Sequence, residues 1–237
     1  MALDNRVAII TGATGGLGSV VTRQLAEQGA RLALFSTNLD HLDHLASELS
    51  LPADRYLTSA YNFTEPDSAR SAADSVVQKF GRADILLNLV GGWTGGKSIV
   101  DAPAEELSNM LNQHVWTTFY LAKAFVPHLT ANKWGRVVVV SSPYANTPAA
   151  NGAPYAAAKA AQETLMLALA REVAGTGVTA NIVQVRTIDA THERDRNPSA
   201  KNAAWTTPEE IAATILYLCS EQAHVINGAR IPLYGGG

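Results

Sequence analysis

The chain reads as an α/β protein: a doubly wound sheet of seven parallel strands with helices on both faces. Three observations predict this. Short β-rich runs alternate with longer helical stretches along the chain, the pattern of a parallel sheet whose crossovers are helices. Several runs, such as Val137-Val138-Val139-Val140, are almost wholly apolar, as expected of strands covered on both faces. A glycine-rich turn directly follows the first run.

The elements follow in order. The first strand, residues 6–10, carries Val7-Ala8-Ile9-Ile10 and leads through the glycine turn into a helix over 16–28. A second strand at 31–35 and a helix at 38–49 come next, then a strand at 56–61 and a helix at 65–80. The fourth strand spans 84–89 and the long middle helix 104–131. A strand at 136–141, a helix at 154–174 and a strand at 178–185 follow. The helix at 208–219 opens on Thr207-Pro208-Glu209-Glu210. That start has a threonine cap, proline at the first position and glutamate three after the cap, so both glutamates read as helix-dipole partners. Residues 230–233 close the sheet. No repeat or linker interrupts the chain, so residues 1–237 are expected to form a single domain. The polar stretch 191–204 reads either as a lid over a site or as an irregular loop.

Composition narrows the function. Of 237 residues, 47% are hydrophobic and 16% charged, which supplies a sizeable core. The net charge of −3 comes without a basic stripe, which argues against a nucleic-acid partner. Cys219 is the only cysteine, so there is no intrachain disulfide. The first residues lack a secretory pattern, and no apolar run approaches the ~20 residues of a membrane span. A cytoplasmic protein without a membrane partner is expected. His41 and His44 lack further ligands, so no metal site is expected there.

Thr11-Gly12-Ala13-Thr14-Gly15-Gly16-Leu17-Gly18 stands between a strand and a helix. Glycines let the backbone approach a pyrophosphate, whose charge sits at the positive helix end. The spacing Gly12-x-x-x-Gly16-x-Gly18 differs from the commoner GxGxxG fingerprint. Downstream, Tyr155 and Lys159 flank three alanines, and Ser142 ends the apolar run before them. Alanine favours helix, and residues i and i+4 share a face. A nearby ammonium favours phenolate, so Lys159 is expected to lower the Tyr155 pKa from its usual ~10. Such a phenol exchanges a proton at a carbonyl or alcohol oxygen. Alternation along a strand lets only one of Ser141 and Ser142 face the site.

With the glycine loop, Asp84-Ile85-Leu86-Leu87-Asn88-Leu89-Val90-Gly91, Ser142, the Tyr155/Lys159 pair and Ile231-Pro232-Leu233-Tyr234-Gly235-Gly236, the chain resembles the short-chain dehydrogenases/reductases over nearly its whole length. That resemblance implies a Rossmann-type fold, a nicotinamide cofactor and hydride transfer between a carbonyl and an alcohol. It implies Tyr155 as acid/base, Lys159 as the residue that lowers its pKa and holds the nicotinamide ribose, and Ser142 as the partner of the substrate oxygen. Gly12, Thr14, Gly15, Gly16, Leu17 and Gly18 would cradle the phosphates, and Asn88 and Gly91 would flank the cofactor. A 3-oxoacyl-thioester reductase is the generic form. A homotetramer or homodimer is implied, through the helices starting near Ala104 and Pro154.

The chain departs from the family at several positions. His114 stands where the family has an asparagine that holds a water relay to the lysine. An imidazole both donates and accepts, so it either keeps the relay, tuned by pH, or only fills space. Asn112 lies about 200° around the helix and is a poor substitute. Val185-Arg186 replaces a Pro-Gly pair, leaving Thr187 and Ile188 to meet the carboxamide of nicotinamide; Arg186 reaches phosphate or faces solvent. Phe35-Ser36-Thr37-Asn38 lacks the acid that would repel a 2′-phosphate. Ser36, Thr37 and Asn38 could bond that phosphate, which favours NADP over NAD. Asn62, followed by Phe63, takes the place of an aspartate that meets adenine, and Leu89 that of a second asparagine. Trp93, Tyr144 and Trp205 are the candidate substrate walls, suited to an apolar or flat carbonyl compound. The rival function is a dinucleotide-binding sensor or scaffold with weakened turnover.

Overall fold

The structure is a computed structural model and describes residues 3–234; the start of the chain and Gly235-Gly236 of the C-terminal motif lie outside the described residues. Within it, seven parallel strands form one sheet in the order β3-β2-β1-β4-β5-β6-β7. The strands are β1 (Val7–Thr11), β2 (Arg31–Ser36), β3 (Tyr56–Ala60), β4 (Ile85–Asn88), β5 (Gly135–Ser141), β6 (Val178–Val185) and β7 (Arg230–Leu233). All seven expected strands are present, with ends shifted by a residue or two. The helices are α1 (Gly16–Glu27), α2 (Leu39–Leu49), α3 (Pro66–Phe80), α4 (Ala104–Leu111), α5 (Thr117–Ala131), α6 (Ala153–Glu172), α7 (Glu193–Arg196) and α8 (Pro208–Leu218).

Strand alternation divides the core into two layers. Val7 and Ile9 of β1 join Phe35, Leu86, Val139 and Ile182 under α3, α5 and α6. Ala8 and Ile10 face the other way, joining Leu34, Leu87, Val138 and Val183 under α1, α2 and α8. Leu25 and Phe125 are fully buried in these layers, so truncating either to alanine costs about 2–5 kcal/mol. Asp84 pins the base of the sheet. Its buried carboxylate accepts from Val7 N (2.9 Å), Arg82 Nε (2.8 Å) and Arg6 Nη1 (3.3 Å).

Two expectations need correction. The helix expected over 104–131 is not continuous: a π-helical turn, Asn112–Trp116, separates α4 from α5. There the Thr117 N–H reaches back five residues to the Asn112 carbonyl, and Thr118 Oγ1 donates to the His114 carbonyl at 2.6 Å. The segment 191–204 is also not structureless, since α7 lies within it. The Thr207 cap of α8 is as expected, with Thr207 and Glu210 forming a reciprocal capping box.

The topology places one crevice. From β1 the chain winds outward to β2 and β3, then returns to lay β4 on the other side of β1. Thr11 and Asn88 end these two strands in register, and a crevice opens beyond their carboxyl ends.

Candidate active site

The glycine turn forms one wall of that crevice. Gly12 adopts φ +73°, and a Cβ there would lie 3.1 Å from the Leu89 carbonyl group. A Cβ on Gly18 would collide with the Gly12 carbonyl oxygen. Only glycine fits either position. Helix α1 starts at Gly16 with no side-chain cap and no acid in its first turn. Its leading N–H groups are left for an anion. These features, facing a cleft of about 900 Å³, fit the pyrophosphate and nicotinamide of a dinucleotide.

The opposite wall comes from the ends of β4, β5 and β6 and the start of α6. The cleft is lined by Gly12, Gly15–Gly18, Leu89–Trp93, His114, Ser141, Ser142, Tyr144, Tyr155, Lys159 and Val185–Ile188, among others. Proline at the first turn and the alanine run hold Tyr155 and Lys159 on one face of α6. Ser142 directly follows β5 and accepts from Tyr144 N at 3.3 Å. Both serines are among the residues of the cleft wall, and a 3₁₀ turn (Pro143–Ala145) follows Ser142. The Ser141 hydroxyl is buried with no partner among the described residues.

The electrostatics correct two expectations. Burial raises the Tyr155 phenol above its ordinary value, Ser142 opposes this, and Tyr144 adds to it. Lys159 is not among the influences that shift it; its Nζ donates to Val140 O at 2.8 Å and Gln162 Oε1 at 3.0 Å. Burial pulls Lys159 itself down to about 7, with Glu163 opposing. His114 is 1% exposed. Burial, then the Lys159 charge, pushes its imidazole down to about 3, against the Gly92 hydrogen bond. It is therefore neutral at physiological pH and not a pH-tuned relay there. Its Nε2 lies 3.0 Å from Gly92 O. A carbonyl only accepts, so Nε2 carries the hydrogen and Nδ1 is bare, buried and without a partner among the described residues.

Other expected residues stand outside the lining of the cleft. Thr14 Oγ1 donates to Ser36 Oγ at 3.1 Å. Asn38 caps α2 through His41 N at 3.1 Å, and Thr37 beside it is exposed. The Asn62 amide oxygen accepts from Thr64 Oγ1 at 2.8 Å and Thr64 N at 3.2 Å. Phe63 is core, stacked edge-on against Phe35. Asn88 is buried scaffold, accepting from Thr11 Oγ1 at 2.9 Å. The Trp205 carbonyl holds Arg194 Nη1 at 2.8 Å, away from the cleft. Trp93, 61% exposed, and Tyr144 do line it. Arg186 is exposed at the cleft edge with its guanidinium 5.3 Å from the Tyr234 ring centroid. Sequence reasoning missed Gln162 and Thr118. Both are polar, buried and joined to Lys159, but on a sequence they resemble the solvated side of a helix.

No group of three or more metal-ligating side chains gathers among the described residues. No described helix is long and apolar enough to cross a membrane. The short chain dehydrogenase family model matches residues 6–201. The 3-oxoacyl-acyl-carrier-protein reductase FabG of Vibrio cholerae is 30% identical, over 100% of this chain and 98% of that protein. Dehydrogenase/reductase SDR family member 4 of Bos taurus is 28% identical, over 99% and 88%. Among solved structures, an NADPH-bound short chain oxidoreductase of Pseudomonas aeruginosa PAO1 with an atypical catalytic center matches at TM-score 0.89 and 25% identity, over 99% and 97%. With a glycine cradle at the switch point of a seven-stranded parallel sheet and this family match over most of its length, the chain belongs to the short-chain dehydrogenase/reductase family of oxidoreductases.

Proposed function

We propose that this protein reduces a carbonyl compound, or oxidises the matching alcohol, with NADP(H), and that Tyr155 is the acid/base at the substrate oxygen. The observation that carries the reading is that Ser142, Tyr155 and Lys159 line the same cleft as the glycine cradle. When bound, the nicotinamide supplies or accepts the hydride. Tyr155 then gives its phenolic proton to the oxygen on which charge develops. Burial keeps that phenol protonated, the form that carbonyl reduction needs. Ser142 bonds the same oxygen and stabilises its charge. Lys159, fixed by Val140 and Gln162, holds the ribose and restores the Tyr155 proton.

Gly12, Gly15, Gly16, Leu17 and Gly18 bind the phosphates, and Gly91, Thr187 and Ile188 the nicotinamide end. The choice of NADP rests on the missing acid at Phe35-Ser36-Thr37-Asn38 and on the NADPH held by the Pseudomonas neighbour. Trp93 and Tyr144 suit an apolar or flat carbonyl substrate, such as the 3-oxoacyl group named for the Vibrio relative. Residues 191–204 serve as a lid, and the site of action is the cytoplasm. Trp116 at the end of the π-helical turn and Phe119 and Tyr120 on the first turn of α5 pack on one another, with Trp116 45% and Phe119 44% exposed. A homodimer or homotetramer through this face would cover them.

The test is NADPH consumption against a panel of ketones and 3-oxoacyl thioesters, with Tyr155→Phe as control. Turnover by the parent and not by the variant supports the reading. Dinucleotide binding without turnover on any carbonyl favours the sensor instead, for which the replaced Pro-Gly turn at Val185-Arg186 argues.

A further inference from the structure

We infer that Gln162 is the positioning residue for Lys159, held in one orientation by Thr118 so that its amide oxygen always faces the ammonium. Gln162 is fully buried on α6, three residues after Lys159. Lys159 Nζ donates to Gln162 Oε1 at 3.0 Å, and Gln162 Nε2 donates to Thr118 Oγ1 at 2.9 Å.

The direction of every bond in this chain is set by two backbone groups at its ends. At one end, the Val90 N–H must donate, so the atom of Asn88 that meets it at 3.2 Å is the oxygen, Oδ1. The other amide atom of Asn88 is then the nitrogen, which donates to Thr118 Oγ1 at 3.0 Å. At the other end, the His114 carbonyl must accept, so Thr118 spends its only proton there, at 2.6 Å. Thr118 can then only accept from Gln162. The Gln162 nitrogen faces Thr118, and its oxygen is left for Lys159.

The consequence is a chain of side-chain hydrogen bonds from the β4 end through α5 and α6 to the ammonium. An amide neither gains nor loses a proton near neutral pH, so Gln162 anchors the charge and does not conduct protons away from it. Hydrogen bonding to the charged form favours that form, and here one of three ammonium donors depends on Gln162. The titratable groups around Lys159 are Tyr155 and Glu163 on α6 and His114 on the π-helical turn. Glu163 is separately engaged by Gln184 Nε2 at 2.8 Å and by Arg230 on β7, so replacing Gln162 leaves those contacts in place.

This deepens the role given to Lys159 under the proposed function, and the experiment is independent of turnover. The unliganded full chain, carrying ¹³C-labelled lysine, is titrated by NMR; the Lys159 Cε signal is assigned by its loss in Lys159→Met. In Gln162→Met the Lys159 midpoint falls by about one pH unit. Thr118→Val, which leaves Lys159 and Gln162 in place but removes the anchor, lowers it too. Gln162→Glu, which keeps the shape and an acceptor oxygen, raises it, and carries the test where the apolar variants do not fold. An unchanged midpoint in Gln162→Met and Thr118→Val, or in Gln162→Glu where only that variant folds, overturns the inference. A protein inactive on every carbonyl compound, yet with these midpoint shifts, would sink the proposed reaction and leave Gln162 in its role.

Discussion

The imidazole of His114 stands edge-on to the phenol of Tyr155, with ring centroids 5.6 Å apart and planes at 80°. The ring therefore braces the proposed acid/base from one side, while Tyr144 meets it from another at 6.0 Å and 74°. Both contacts restrict the phenol without offering it a charge.

Replacing His114 by asparagine tests what the imidazole does. Asparagine can still donate to Gly92 O, and the backbone carbonyl that Thr118 uses is unaltered. Turnover is therefore expected to be retained or raised. The acid stability should change in a defined direction. The folded-state pKa is about 3, against ~6.5 unfolded. Between those values the unfolded chain binds more protons, so stability falls as pH drops from 6.5 toward 3, by at most about 1.4 kcal/mol per unit. His114→Asn removes that contribution. Urea melts of both proteins at pH 7 and pH 4.5 would reveal it; equal acid sensitivity in the two would refute it.

Tyr155→Phe removes only the hydroxyl. The ring contacts with His114 and Tyr144 survive, so folding and dinucleotide binding should persist while turnover falls by about 10²–10⁴-fold. Fluorescence titration with NADPH alongside the rate measurement separates the two effects. A variant retaining more than a tenth of the parent rate would remove Tyr155 from the chemistry.

Gly18→Ala puts a methyl group onto the Gly12 carbonyl oxygen. The listener to this strain is backbone, which has no rotamer to yield, so the cradle must open. A stability loss of roughly 1–3 kcal/mol is expected, with weakened binding of the dinucleotide. Gly81→Ala is the control for binding: unlike the helical Gly18 it has positive φ, at +74°, and nothing lies within 4 Å of its Cβ position. If both variants bind NADPH alike, crowding at the cradle is not what demands glycine there.

Much of this was legible in the chain itself. Strand alternation and the apolar runs locate the sheet because burial on two faces leaves few polar choices. Tyr155, Lys159 and the glycines stand out because helical spacing and positive φ are local properties. What was hidden depends on contacts distant in sequence. The π-helical turn leaves no mark in residue type, so 104–131 reads as one helix. Asn38 and Asn62 read as ligand partners; what the sequence does not display is that their side chains also accept from nearby backbone and hydroxyl groups, as short polar side chains often do. The expected drop in the Tyr155 pKa weighed the neighbouring ammonium and not the burial of the phenol, which raises it.

Lys159 supplies a pH dependence of opposite sense to that of His114. Burial sets its midpoint at about 7, so the ammonium is present below that pH and lost above it. A reductase that needs the cation is expected to lose kcat/KM as pH rises through 7, toward the rate of Lys159→Met. Profiles of parent and variant from pH 6 to 9 converging at the alkaline end would agree with this; a parent rate flat across that range would not.

The segment after β6 bears on substrate entry. The carboxylate of Asp189 accepts from the N–H groups of Glu193 and Arg194, each at 2.8 Å. The Arg194 guanidinium clasps both oxygens of Glu210, at 3.0 and 2.9 Å, and also the Trp205 carbonyl. A Cβ on Gly16 would come 3.0 Å from the Ala190 Cβ, so the root of this segment lies against the cradle itself. If residues 191–204 act as a lid, Arg194 is the clasp that keeps them folded back onto α8. Arg194→Met should then lower the hydrogen-exchange protection of 193–205 and raise KM, while kcat changes by less than about twofold because no group at Tyr155 has moved. Glu210 keeps its place in the capping box with Thr207, so α8 itself should stay protected. Unaltered exchange in 193–205 would mean that Asp189 and Asn202 hold the segment without the clasp.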